Sequence, residues 1–246
     1  FYQLPCAADQ IPAARIQDTI AQCKLADKLG FDAAWLAELH FNPRFSVLSA
    51  PLMIASAVAQ ATDRIRIGNA VNLLPLHQPV RLAEEVATLD TLSSGRAIFG
   101  VGRGSMPTHF VGYGIDQEEG RERFIEGLEL VLGSWNHDDF SYIGKFYRSY
   151  GYAITPKPIQ EPHPPVYVAA NSADTFGIVG ELGHSILVAP TIVTTQGALT
   201  GLESYRSALA ENGHDRSKLK VNINVPIYVS ETEKEARTGF TKTINN

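Results

Sequence analysis

The fold of this chain is decided around the stretch Gly95-Arg96-Ala97-Ile98-Phe99-Gly100-Val101-Gly102-Arg103-Gly104. Residues 97–101 form a short apolar run bounded by glycines, which is typical of a strand buried on both faces of a parallel sheet. Arg103 follows where this strand ends, and its guanidinium is a planar cationic donor suited to phosphate. The alternative is an ordinary turn with a solvated arginine, because a motif this short is weak by itself. The neighbouring segments must decide between the two.

Composition narrows the class of protein. The chain has 246 residues, 44% of them apolar, enough for the core of one large α/β domain or two small ones. The net charge of −5 argues against nucleic acid or an anionic membrane as the main partner. No apolar run reaches the roughly 18 residues of a membrane span. Cys6 and Cys23 make no disulfide framework and fit a reducing compartment, so we expect a cytoplasmic protein.

Strands and helices alternate along the rest of the chain. Hydrophobic periodicity predicts strands at 31–37, 65–71, 97–101, 166–170, 185–189 and 219–229. It predicts helices at 12–29, 51–61, 79–92, 118–135, 172–182 and 197–211. Pro226 breaks or bulges the last strand, and Ser230 with Glu233 predicts the capping box of one more helix.

Three other features are predicted from local composition. Residues 105–117, rich in glycine and aromatic side chains, are predicted as a long loop. Residues 137–165 are predicted as an inserted hairpin with a proline-rich, extended return. Glu84, Glu85 and Asp90 are predicted on the solvated face of the third helix.

Repeated strand–helix units predict a parallel sheet. Each unit takes about 25 to 35 residues without the insert, close to the proportion of a (β/α)8 barrel of roughly 250 residues. We therefore expect one domain over residues 1–246, a TIM-like (β/α)8 barrel with an insertion after the fourth helix and apparent truncation at both ends. Residues 1–4 are then the stub of the first strand. A doubly wound open sheet is the alternative, but the turn at residues 5–8 lacks its usual glycines.

Function in such a barrel is expected at the carboxyl ends of the strands. Four predicted strand ends carry polar groups: Glu38 with His40, Asn69 to Asn72, Arg103, and Asn171 with Ser172 and Thr175. Each set alone is more often structural, but together they favour one shared pocket. His40 is a candidate base, substrate contact or satisfied loop histidine. The other histidines lack metal-ligand spacing, so no metal site is predicted.

The segment that starts at Asn171 predicts an anion site. Ser172 opens a helix directly after a strand, so free backbone N–H groups, the hydroxyls of Ser172 and Thr175 and the positive end of the helix dipole meet there. The alternative is that Ser172 merely caps the helix. Neighbouring barrel strands carry Arg103 and Asn171, so a phosphate held jointly by Arg103 and this helix start would combine the two signals.

Four segments of the chain resemble the bacterial luciferase-like flavin-dependent monooxygenases, at residues 31–41, 67–81, 89–104 and 164–172. The resemblance implies a barrel that receives reduced FMN from a separate flavin reductase and uses O2 to oxidise a small organic substrate. It implies that the cofactor contacts are Asn69, Ala70, Val71, Arg103, Ala170, Asn171, Ser172 and Thr175. Arg103, Ser172 and Thr175 would hold the phosphate. The segment from Asn69 to Val71 would lie against the flavin ring, often with a non-prolyl cis peptide.

This chain departs from the luciferase pattern at two positions. Luciferases have Glu-His-His-Phe where this chain has Glu38-Leu39-His40-Phe41, so Leu39 replaces the catalytic histidine, and Gly102 replaces the reactive cysteine. Light emission is therefore not expected, and His40 remains the candidate catalytic residue. Glu38, Leu39 and Phe41 are predicted to shape the substrate pocket, with residues 105–117 and 146–152 as lids.

Two other functions remain open on the sequence. An F420-dependent hydride-transfer enzyme of the same fold is one alternative. A non-catalytic flavin-binding subunit, like the second chain of luciferase, is the other, because Leu39 replaces the catalytic histidine. The resemblance also suggests a homodimer built on barrel helices.

Overall fold

A computed structural model describes residues 1–6, 9–190 and 192–244. The strands in this part of the chain are β1 (Ala33–Leu36), β2 (Arg66–Asn69), β3 (Asn72–Leu73), β4 (Ala97–Gly102), β5 (Phe140–Ile143), β6 (Arg148–Tyr152), β7 (Val166–Ala169), β8 (Ser185–Val188) and β9 (Val221–Ile223). The α-helices are α1 (Pro12–Leu29), α2 (Pro51–Ala61), α3 (Pro79–Leu92), α4 (Pro107–Tyr113), α5 (Gly120–Asn136), α6 (Ala173–Glu181), α7 (Thr195–Glu211) and α8 (Glu233–Ile244).

One curled parallel sheet runs in the order β1-β2-β4-β7-β8-β9, and β3 pairs with β4 beyond the end of β2. Tyr2 makes an isolated parallel bridge to Leu36 at the β1 edge, so the predicted first strand is present only as a single bridge. The predicted α/β fold with a parallel sheet is confirmed. Among the described residues the sheet is not closed, because no pairing joins β9 to the β1 edge. Closure into a complete (β/α)8 barrel stays a prediction.

β4 is the centre of this sheet. All six of its residues are buried, as the apolar run predicted, because helices cover one face and side chains from neighbouring strands fill the other. It pairs with β2 and β3 on one side and with β7 on the other. The strands that precede Arg103 and Asn171 are therefore neighbours, as the barrel predicted.

Two apolar clusters hold the helices against the sheet. The larger contains Phe99 of β4, Trp135 of α5 and Phe176 of α6. The smaller lies under α1 and α2 and contains Leu36 and Ile67. Burying such side chains contributes about 1.5 to 3 kcal/mol each, which makes these clusters the main source of stability. Together they fix the helices that carry the strand ends.

The segment predicted as one strand at 65–71 is two strands. Pairing of β2 ends at Asn69, a cis peptide bond joins Ala70 to Val71, and β3 begins at Asn72. Asn69 Nδ2 donates to Asn72 Oδ1 at 2.6 Å, and Asn72 Nδ2 donates to the carbonyl of Gly100 at 2.9 Å. Side-chain amides thus replace ladder bonds where the backbone leaves the sheet. The resemblance had implied a cis peptide at this place.

Three local predictions are corrected by the structure. Residues 105–117 are not only a loop, since they contain α4. The strand predicted at 219–229 is only β9, because Pro226 and its neighbours leave the sheet. The last helix starts later than predicted: Thr232 Oγ1 accepts the N–H of Glu235 at 3.3 Å, so the capping box begins at Thr232, not at Ser230.

The predicted hairpin is present as the antiparallel pair of β5 and β6. It packs against α5, where the Glu126 carboxylate accepts the backbone N–H groups of Lys145, Phe146 and Tyr147. The guanidinium of Arg123 lies 4.4 Å from the centre of the Phe146 ring. These contacts hold the hairpin on a charged face of α5.

Asp90 was predicted to be solvated but is fully buried. Its Oδ2 accepts the backbone N–H groups of Ile159 at 2.9 Å and Gln160 at 3.0 Å, and its Oδ1 accepts Gln160 Nε2 at 2.6 Å. The partners lie 69 and 70 residues away in sequence, so helical periodicity carried no sign of them. The carboxylate of Asp90 fixes the segment that returns the chain from the hairpin to β7.

We expect Asp90→Ala to lower the free energy of unfolding by about 3 kcal/mol, because buried donors lose a charged acceptor. Asp90→Asn keeps one oxygen acceptor and should cost less. Asp18→Ala, on the exposed side of α1, is the matched control and should change stability by less than about 0.5 kcal/mol. Urea titrations measure all three variants. Similar losses in the two alanine variants would contradict the assigned role of Asp90.

Candidate active site

A cavity of about 350 Å³ lies at the carboxyl ends of the central strands. Each of the four predicted strand ends contributes to its wall. The contributors are Glu38 and Leu39 after β1, Ala70 and Val71 between β2 and β3, Arg103 after β4, and Asn171, Ser172 and Thr175 after β7. The shared pocket expected from the sequence therefore exists.

Four predicted site residues are not part of this wall. Asn69 is buried in its amide pair with Asn72, and Ala170 lies in the larger apolar cluster. His40 is buried behind Glu38, and the Phe41 side chain is 61% exposed. The ligand contacts predicted for these four residues stay predictions. The four residues support the wall from behind or lie outside it.

Two guanidinium groups line the cavity without a protein partner. Neither Arg103 nor Arg121, which comes from the first turn of α5, makes a hydrogen bond or ion pair with a residue that the structure describes. Both side chains are exposed. Unpaired arginines in one cavity attract an anion and can bind it through several N–H groups at once. Sequence reasoning missed Arg121, because it is one charge among several at the start of that helix.

The start of α6 adds neutral donors to the same cavity. Ser172 Oγ and Thr175 Oγ1 lie 2.7 Å apart, and the Ser172 side chain makes no capping bond to the helix. The alternative that Ser172 merely caps α6 is therefore not what the structure shows. The first N–H groups of a helix have no acceptor within it, and the helix dipole favours negative charge there. These groups, the two arginines and Asp174 line one cavity, which makes it a candidate site for a phosphate-like anion.

Glu38 is the hub of a buried hydrogen-bond network on the other side of the site. Its carboxylate accepts His40 Nε2–H at 2.9 Å, His77 Nε2–H at 2.9 Å and the backbone N–H of Leu73 at 2.8 Å. His40 Nδ1 in turn accepts the Tyr113 hydroxyl at 3.3 Å. Glu38 therefore positions the backbone after the cis peptide as well as two imidazole rings. The sequence did not reveal His77, which was considered only for metal-ligand spacing.

The environment of Glu38 keeps it ionised. Burial raises the pKa of its carboxyl, but hydrogen bonds from His40, His77 and Leu73 outweigh burial, and the pKa falls to about 2. Burial lowers the pKa of His77, yet the hydrogen bond and the charge of Glu38 raise it above its ordinary value. Glu38 and His77 thus stabilise each other's charged forms.

His109 of α4 is a further residue that sequence reasoning missed. Its side chain is 3% exposed and lines the cavity, and its Nε2 accepts the backbone N–H of His40 at 3.2 Å. Burial and the neighbouring His40 lower the pKa of His109. The only signal in the sequence was its position six residues after Arg103, in the segment that follows the central strand.

The rest of the cavity wall is mostly apolar. It includes Leu39, Phe45, Val71, Met106, Phe124 and Ile178. Residues 105 and 106, at the start of the segment predicted as a lid, are part of the wall, whereas residues 146–152 are not. The second predicted lid is therefore corrected, because the hairpin packs on α5 instead.

Among residues 1–6, 9–190 and 192–244, no group of three or more His, Cys, Asp or Glu side chains is placed to hold a metal ion. None of the helices in those ranges has the length and apolar character needed to cross a membrane.

A curled parallel sheet with a cavity at the carboxyl ends of its strands, lined by two arginines and by apolar side chains, defines a TIM-barrel-like α/β protein with a candidate anion site. Comparison with known families makes this class specific. The chain belongs to the luciferase-like monooxygenases, whose family model matches residues 3–246. The family expected from the resemblance is confirmed.

Individual relatives agree with this assignment. The chain is 32% identical to an uncharacterized protein of Sinorhizobium fredii over 228 residues, which is 92% of this chain and 64% of that protein. It is 25% identical to the oxygenase component of the flavin-dependent trigonelline monooxygenase of Acinetobacter baylyi over 242 residues, 97% of this chain and 66% of that protein. It spans about half to two thirds of the length of such curated relatives.

Solved structures share the fold. The monooxygenase RslO1 from Streptomyces bottropensis superimposes with a TM-score of 0.93 at 27% identity, covering 99% of this chain and 74% of that one. An F420-dependent secondary alcohol dehydrogenase has a TM-score of 0.79 at 20% identity, covering 92% and 69% of the two chains. At that identity the second likeness concerns the fold alone.

Because of the Glu38 network, the free energy of unfolding should fall both when the pH is lowered and when it is raised from an intermediate range. A carboxyl whose pKa falls on folding stabilises the protein above its ordinary pKa of 4.5, and this contribution disappears as the pH falls toward about 2. His77 has a raised pKa, so its contribution is complete below 6.5 and disappears as the pH rises through the folded value. The network is thus strongest between these limits.

We expect the free energy of unfolding of the wild type to exceed that of Glu38→Gln by about 3 kcal/mol between pH 4.5 and 6.5, and by less on either side. Urea titrations across this pH range measure the difference. Glu203→Gln, at an exposed position of α7, is the control and should differ from the wild type by a constant amount. A pH-independent difference for Glu38→Gln would refute the network's electrostatic role.

Proposed function

We propose that this protein is a flavin-dependent monooxygenase that uses reduced FMN and O2 to oxidise a small organic substrate. One observation carries the proposal: unpaired Arg103 and Arg121, the hydroxyls of Ser172 and Thr175 and the start of α6 converge on a cavity whose other wall is apolar. A phosphate at one end and a flat apolar ring at the other match FMN.

The residues present fit this cofactor. The two guanidinium groups have no acceptor among the described residues, so a phosphate dianion would satisfy them without displacing a bond seen there. The backbone around Ala70 and Val71 would support the flavin ring, as the family resemblance implies. The cavity of about 350 Å³ lies within the range of about 300 to 1,000 Å³ that ligand pockets occupy.

Reduced flavin, when bound, supplies the electrons that activate O2. The chain's own residues bind, orient and shield. Arg103, Arg121 and the start of α6 would hold the phosphate, and Leu39, Val71 and Met106 present an apolar wall that excludes water. Glu38 does not offer its charge to a ligand, because three donors already occupy the carboxylate.

A separate flavin reductase is the proposed source of reduced FMN. The support is that the Acinetobacter baylyi relative is named as the oxygenase component of its system. We further propose a homodimer built on barrel helices, which the family resemblance supports. The substrate is a small organic molecule that enters the apolar part of the cavity.

Arg103→Ala should weaken FMN binding roughly 10- to 100-fold, the value of a charged hydrogen bond to phosphate. Riboflavin lacks the phosphate, so its affinity should stay unchanged. Fluorescence titration measures both affinities, and circular dichroism verifies the fold. Arg206→Ala, at an exposed position of α7, is the matched control and should change neither affinity. An unchanged FMN affinity in Arg103→Ala would refute the phosphate site.

The alternatives are separated by cofactor and oxygen dependence. We expect saturable binding of FMN and no saturable binding of F420, because the likeness to the F420-dependent dehydrogenase concerns the fold and not the cofactor of this chain. We also expect oxygen from isotopically labelled O2 to enter the product when the isolated chain is supplied with NADH, a flavin reductase and a substrate panel. Tight F420 binding with oxygen-independent hydride transfer would favour the first alternative. FMN binding without oxygen incorporation would favour the non-catalytic subunit.

A further inference from the structure

His109 combines deep burial with one occupied and one free ring nitrogen. Its side chain lines the cavity and is 3% exposed. Its Nε2 lies 3.2 Å from the backbone nitrogen of His40, which can only donate. Nε2 must therefore be the acceptor in this bond and carry no proton.

The bond to His40 fixes the tautomer of His109. A neutral imidazole whose Nε2 accepts carries its hydrogen on Nδ1. Protonating Nε2 would set two N–H donors against each other, so the cationic ring is disfavoured. The ring of His40 lies edge-on to His109, 5.3 Å between ring centres, and the Tyr113 hydroxyl bonds Nδ1 of His40. Burial and His40 lower the pKa of His109, and the negative charge of Glu38 raises it by less. His109 is therefore a neutral ring with Nδ1–H.

The other ring nitrogen of His109, which lines the cavity, is accessible. Nδ1 makes no hydrogen bond with the described residues, yet it is not among the buried side-chain nitrogen and oxygen atoms that lack a partner, so it is accessible. The wall of the same cavity includes the apolar side chains Leu39 and Met106. A ligand that displaces water from such a donor must supply an acceptor in its place.

We propose that His109 is a ligand-contacting hydrogen-bond donor of fixed tautomer, and that its Nδ1–H binds a carbonyl oxygen of the molecule held in this cavity. The carbonyl belongs either to the flavin ring or to the organic substrate. This inference rests on the proposed function. It assigns the ligand-contacting imidazole to α4, whereas the luciferase pattern has a histidine at the position of Leu39. His109 cannot serve as the base in this state, because the lone pair of its Nε2 is held by the His40 N–H.

The tautomer is tested first, in the wild type without any ligand. Long-range proton–nitrogen correlation spectra of protein labelled in its histidines distinguish Nδ1–H, Nε2–H and the cation, and His109→Gln assigns the signal. We expect the neutral Nδ1–H form at about pH 7. A neutral Nε2–H ring or an imidazolium at this pH would overturn the proposal.

A matched pair of variants separates the two nitrogens of His109. Gln places an acceptor where Nε2 lies, so His109→Gln keeps the bond to His40 and loses the donor. Asn places a donor near Nδ1, so His109→Asn keeps the donor and loses the bond to His40. If the flavin is the acceptor, His109→Gln should bind oxidised FMN roughly 2- to 10-fold more weakly, and His109→Asn should bind it like the wild type.

The source of the carbonyl is identified by ligand additions to the labelled wild type. A shift of the Nδ1–H signal on addition of FMN identifies the flavin. A shift only when cyclohexanone, but not cyclohexane, is added to FMN-loaded protein identifies the substrate side. No shift with either ligand overturns the proposal. If the wild type binds no FMN, the proposed function fails, while the tautomer and the cyclohexanone addition to free protein still decide the role of His109.

Discussion

The close approach of two backbones along β4 is the contact on which the site depends. A Cβ atom at Gly100 would lie 1.7 Å from the carbonyl oxygen of Asn69, and one at Gly102 would lie 2.6 Å from Val71 Cγ2. Only glycine leaves room for the chain between β2 and β3 to turn against the central strand. This contact brings Val71 into the cavity wall and leaves Arg103 at the end of the same strand.

The charged groups of the cavity wall differ in whether protein atoms already bind them. Arg103 and Arg121 make no ion pair with the residues that the structure describes, so an anion would be stabilised beside them. Glu38 carries a buried negative charge, but His40, His77 and a backbone N–H already bind it. The guanidinium groups are therefore more available to a ligand than the carboxylate is.

The imidazole rings of the site occupy positions that a luciferase pattern alone does not show. Leu39 makes the wall apolar where luciferases place a histidine, whereas His109 reaches the same cavity from α4. His40 links the two regions, since its ring binds Glu38 and its backbone binds His109. Family membership therefore accounts for the fold, and these substitutions concern the wall of the cavity.

The sequence by itself determined the strand–helix order, the buried central strand, the shared pocket and the family, because each depends on local periodicity or on neighbouring strand ends. Only the tertiary structure decided which polar groups meet: Asp90 with Gln160, Glu38 with His77 and His40 with His109 are separated by 70, 39 and 69 residues. Periodicity reports which side of one element is buried. It carries no information on a partner that a distant element supplies, because that pairing is set by how the elements pack.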